Sequence, residues 1–155
     1  MTTLSDLQSE RQQWMGTLAK ADAGELLRLY SDLKLDIQFN PLKPPETGLV
    51  MVRGKSGGVG RQFNLGEMTV TRGAVRLETG ETGLSYVAGR DKKHAETAAV
   101  IDALMQRAEN REQVRDQVLY PLEKQAEEKR KQVLRQRAAT RVDFFTMTRD
   151  REDKK

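Results

Sequence analysis

With 155 residues, 37% of them hydrophobic and 32% charged, the chain can bury one sizeable core and surround it with solvated helix. It has no cysteine, which removes disulfides, thiolate nucleophiles, iron–sulfur ligation and thiolate zinc sites, and its single histidine shortens the catalytic menu further. A formal charge of +4 favours acidic or phosphorylated partners, whereas aromatics at 5% leave little for base stacking.

Ser5 to Ala21 spaces Leu7, Trp14, Leu18 and Ala21 along one helical face. Asp22 followed by Glu25 is a capping pair, after which Leu26, Leu29, Tyr30 and Leu33 keep helical spacing, so the two segments predict an N-terminal helical hairpin. Leu35, Ile37 and Phe39 then alternate with polar residues as a half-buried strand does, and the prolines of NPLKPPETG predict a loop behind it. GLVMV, Gly48 to Val52, is apolar at every position, which predicts a central strand covered on both faces.

Gly54 to Arg61, GKSGGVGR, contains the GKS of a phosphate-binding loop, but position 49 is leucine where that motif needs glycine, and QFNL reads as extended chain rather than helix. A glycine-rich hairpin loop is the better reading; the rival is a backbone anion nest flanked by Lys55 and Arg61. Met68 and Val70 share a face, whereas Val75 and Leu77 fall on the other parity, so a bulge is expected at Gly73. After the turn TGETG, Leu84 to Ala88 completes four strands in meander order, a mainly antiparallel sheet.

Gly89 breaks that strand, Asp91 caps a long helix, and Ala98, Ile101, Leu104, Met105 and Ala108 form its apolar face. Ala95, Ala99 and Ala103 make a second strip, small enough for another backbone to approach closely. From Asn110 to Arg137 the residues are helix formers with a thin stripe of Val114, Val118, Leu122, Ala126 and Val133, and Pro121 predicts a division into two helices. The stripe suits either a solvated charged helix or an arm docked on another subunit; Val142, Phe144, Phe145 and Met147, gathered beyond it, favour an assembly interface. The expected organisation is an α+β core over 1–109, a helical arm and apolar segment over 110–149, and a disordered tail over 150–155.

Chemistry has few candidates. His94 opens the apolar face of its helix and has no second histidine or cysteine to share a metal, so it reads as a packing residue, and neither a metal site nor a catalytic group is expected in this chain. Arg90, Lys92 and Lys93 crowd the end where the helix dipole is already positive, which costs a few tenths of a kcal/mol, roughly, unless an anion or a partner's carboxylate lies near; the alternative is that Asp91 alone offsets them. A nucleic-acid module would use Arg111 to Arg137, but Glu112, Asp116, Glu123, Glu127 and Glu128 interrupt that face. A free-standing enzyme would need more than the constellation Arg90, Asp91, His94 and Glu96. No window holds the roughly twenty apolar residues of a membrane span, and the polar start MTTLSDLQSERQQ has no apolar signal region, so cytoplasmic residence is expected.

RQQWM at Arg11, ETGLVMV at Glu46, the FNLGE and TVTR segments, GRDKKHAE with AAVIDA, and RVDFFTMTR at Arg141 together resemble the PhnG family of carbon–phosphorus lyase core subunits, in order from Trp14 to Arg149. The resemblance implies an accessory subunit of phosphonate breakdown, silent by itself, in an assembly with PhnH, PhnI and PhnJ and an associated ATP-binding cassette protein, PhnL. It implies displacement of adenine from ATP by methylphosphonate to give ribose 1-methylphosphonate 5-triphosphate. Iron–sulfur and S-adenosylmethionine chemistry would sit in a partner, and neither Gly73 nor His94 would be indispensable to catalysis.

Overall fold

The computed structural model describes residues 4–57 and 59–139, with side chains from Leu7 onward. Val142, Phe144, Phe145, Met147 and the tail over 150–155 lie outside the described residues. The order of elements is α1 (Leu4–Lys20), α2 (Ala23–Asp32), β1 (Phe39–Lys55), β2 (Gln62–Leu77), β3 (Thr82–Ala88), α3 (Lys92–Gln106), α4 (Ala108–Val114), a π-helical turn (Arg115–Leu119) and α5 (Tyr120–Ala139). The class is α+β: helices cover one face of an antiparallel sheet ordered β1-β2-β3.

The sheet has three strands, not four: Leu35 and Ile37 precede the sheet and pack on the core outside any strand, while Phe39, the proline segment and GLVMV are one strand, β1. Proline cannot donate to a ladder, but an edge strand has N–H groups that face no neighbour, and Pro41, Pro44 and Pro45 fall on that edge at the register shifts Pro41/Lys43 and Lys43/Glu46. GLVMV is therefore an edge segment rather than a central one, and Leu49 and Met51 are exposed. The two parities of β2 stay on opposite faces, so the apolar pairs expected to share one core do not. The β2–β3 register runs unbroken from Val70 to Arg76, with no extra residue at Gly73; against β1 the extra residues are Leu42 and one of the Pro44–Pro45 pair opposite Gly73, and farther along Leu65 of β2 is extra between Val52 and Arg53. Thr71, Gly73, Val75 and Leu77 face the helices, and Met68 and Val70 lie on the opposite face.

Helix α3 is the centre of the core, and Ala95, Ala99, Val100, Ile101, Ala103, Leu104 and Met105 are buried to within 1%. Its small-residue strip has the function the spacing predicts. A Cβ on Gly83 of β3 would stand 1.8 Å from the carbonyl oxygen of Ala99 and 2.9 Å from Ala103 Cβ, so only glycine lets strand and helix come this close. Helices α1 and α2 turn a corner at Asp22, whose carboxylate accepts from the Glu25 N–H at 3.1 Å, and both rest on α3.

Pro121 does not divide the C-terminal helix. The ring needs no hydrogen bond of its own, and the preceding turn widens to i→i+5 bonding, with the Tyr120 N–H donating to Arg115 O, so the helix passes through as a π turn. Val114, Val118, Leu119 and Leu122 enter the core through that segment. Beyond Leu122 the described part of α5 leaves the body, and its residues are exposed apart from a half-buried Gln125.

Candidate functional site

The break between β3 and α3 is built from both sides. Gly89 takes the left-handed conformation at φ 94°, its N–H donates to Thr69 O at 2.9 Å, and its carbonyl accepts from the buried Thr71 hydroxyl at 2.8 Å. That hydroxyl also meets the hydroxyl of Thr47 at 3.1 Å, which ties all three strands to the turn. Asp91 caps α3 by accepting from the His94 N–H at 3.0 Å.

Arg90, Lys92 and Lys93 project into solvent around this cap, and among the described residues none of them has an ion-pair partner. His94 turns the other way. It is 4% exposed, and its Nε2 donates to the Leu18 carbonyl at 2.8 Å, so the ring bridges α3 to α1 as a packing residue. Beside it in the helix, the charge of Glu96 adds to a more important effect, burial, in pushing the Tyr30 phenol above its ordinary value. Lys55 and Arg61 are also exposed and unpaired among the described residues, but they sit at the far end of the β1–β2 hairpin. With Lys55 level with Gln62 and Ala88 level with Val70, about eight residues or roughly 26 Å of strand separate them from the α3 start. The cations expected as anion or partner contacts thus form two separate groups.

The most heavily bonded side chain is one that spacing alone does not single out. Asp102 is 0% exposed in the middle of α3 and accepts four hydrogen bonds: from Arg11 Nε at 3.1 Å and Nη2 at 2.6 Å, from Trp14 Nε1 at 2.8 Å and from the Leu84 N–H at 2.9 Å. One carboxylate therefore pins α1 and β3 to α3, and both its oxygens are occupied. A signal for it does exist in the sequence: Asp102 interrupts the buried strip at the i+3 position from Ala99 and the i+4 position from Ala98, where a surface aspartate has no place.

Among the described residues no group of three or more histidine, cysteine, aspartate or glutamate side chains converges. A groove of about 470 Å³ lies between α1 and α5 and is lined by Gln12, Gln13, Thr17, Lys20, Glu123 and Lys129 among others, with none of Arg90, Lys92 and Lys93 in its wall. The buried acid and the buried imidazole both hold elements together, Asp102 joining α1 and β3 to α3 and His94 joining α3 to α1. No described helix is long and apolar enough to cross a membrane.

Residues 9–150 match the family model described as "Phosphonate metabolism protein PhnG". The chain is also 48% identical over 144 residues to a protein of Rhizobium meliloti (strain 1021) named alpha-D-ribose 1-methylphosphonate 5-triphosphate synthase subunit PhnG, an alignment covering 91% of this chain and 90% of that one.

Proposed function

The chain belongs to the phosphonate metabolism PhnG family, and from that premise we propose that it is an accessory subunit of a ribose 1-methylphosphonate 5-triphosphate synthase, working in the cytoplasm. The near end-to-end likeness to a named synthase subunit carries the reading. The bonding of Asp102 and His94 supports the accessory part, since the chain's buried titratable groups serve its own architecture. Chemistry then falls to partners of the PhnH, PhnI and PhnJ kinds, with PhnL associated, and ATP and methylphosphonate are substrates of the assembly. Iron–sulfur and S-adenosylmethionine belong to another subunit.

Within this role Arg90, Lys92 and Lys93 are contacts for an anion or for carboxylates of a neighbour, because three unpaired cations at a positive helix end gain most from opposite charge. Reconstitution tests the reading. Purified chain given ATP and methylphosphonate should release no adenine, the remaining subunits should release little, and mixing the two should restore release. Replacing all three cations by glutamate should weaken that restoration while leaving the chain folded. Adenine release by the chain alone at the rate of the assembly would sink the accessory role.

A further inference from the structure

β1 and β2 are longer than the structure that covers them. The third strand pairs with β2 only from Val70 to Arg76, so Gln62 to Met68 has a neighbour on one side only, and β1 has none on its outer side among the described residues. The distal half of the hairpin, residues 47–55 paired with 62–69, therefore stands out as a two-stranded ribbon, an arrangement that is marginal alone in water. Its side chains are not those of a solvated ribbon. Leu49 is 62% exposed, Met51 52%, Phe63 46%, Leu65 66% and Met68 44%. The register puts Leu49 and Met51 on one face and Phe63 and Met68 on the other, so both faces of the ribbon present apolar side chains to solvent.

Edge protection changes along the same strand. The proximal half of β1 carries Pro41, Pro44, Pro45 and the ion pair of Lys43 with Glu46 at 2.8 Å, devices that stop a foreign strand from adding to the edge. From Thr47 onward there is no proline and no described ion pair, and the free edge becomes apolar. Around it stand Arg53, Lys55 and Arg61 against the single carboxylate of Glu67, a cationic rim.

We infer that the distal β1–β2 ribbon, residues 47–55 and 62–69, is a docking arm for a different subunit of the synthase, one that offers an apolar groove with an unpaired strand edge and carboxylates at its rim. This rests on the subunit role proposed above. A second copy of the chain is the poorer occupant, since it would bring the same excess of positive charge to the contact. A strand edge supplies backbone hydrogen bonds, and the alternating apolar side chains supply specificity on both faces.

The test compares the full-length parent with Leu49→Glu/Leu65→Glu and with the uncharged Leu49→Ser/Leu65→Ser. Binding is titrated against the remaining subunits of the same synthase, purified together without this chain. Both variants should keep the parent's circular dichroism, because the altered side chains lie in solvent, and the charged one should bind at least about 100-fold more weakly. If a folded variant binds within threefold of the parent while the parent binds and restores adenine release, the docking arm is overturned and the subunit role stands. If the parent neither binds nor restores release, both fall together. Self-association of the parent that either variant abolishes would assign the ribbon to a second copy and likewise overturn the proposal.

Discussion

Strand β2 passes through two environments. From Val70 to Leu77 it has β1 on one side, β3 on the other and α3 above; from Gln62 to Thr69 it has β1 alone for nearly all of its length. Both halves are rich in residues that favour strands, yet Val75 and Leu77 are 2% exposed whereas Leu65 and Met68 are largely in solvent. Strand propensity thus describes a residue that fits a pleated surface and says nothing of whether a surface will be there. The proximal half takes its stability from neighbours in its own chain, and the distal half has its apolar groups ready for neighbours elsewhere.

The sharpest way to break this contrast is Asp102→Ala. It leaves the Trp14 indole N–H and the Leu84 N–H without an acceptor and the Arg11 guanidinium without its counter-charge, a loss of about 3–5 kcal/mol. The melting temperature of the isolated chain should fall by roughly 10 °C or more. A fall of less than about 2 °C in thermal unfolding followed by circular dichroism would mean that the covered half does not depend on this hub.

Gly83→Ala comes next. The added methyl would occupy the space of the Ala99 carbonyl, so β3 and α3 must separate, at a cost of about 3 kcal/mol. Urea unfolding should show the midpoint falling with an unchanged slope.

On the uncovered half the corresponding change is almost silent. Met51→Ser should alter the unfolding free energy of the isolated chain by less than about 0.5 kcal/mol, since the side chain is half in solvent and outside the core cluster. A loss near that of Gly83→Ala would show that the ribbon folds back onto its own body in solution.

Reading the sequence recovers the covered half better than the rest. The helix α3 is legible from Asp91, from the apolar face that includes Ile101 and Met105, and from the alanine strip, whose close approach to Gly83 is the contact such a strip permits. The prolines of β1 mislead because a rule about interior strands does not bind an edge, and edge position is decided by pairing far along the chain. Pro121 misleads for a related reason: a helix can widen by one bond instead of stopping. At the α3 start the cations, the cap and the packing histidine are all visible locally. Their separation from Lys55 and Arg61 is not, since it follows from strand length and register.

The clamp on Asp102 also sets a clock. Arg11 and Asp102 are 91 residues apart in sequence, so on a ribosome adding roughly 5–20 residues per second the first helix exists for about 5 to 18 seconds before its anchor has been made. During that interval the indole of Trp14 has no carboxylate to bond and no α3 to lie against, and the β1–β2 hairpin, whose partners are close in sequence, can already have paired. The element synthesised first is therefore among the last to be fixed in place, and the nascent chain carries its docking surface before it has a body.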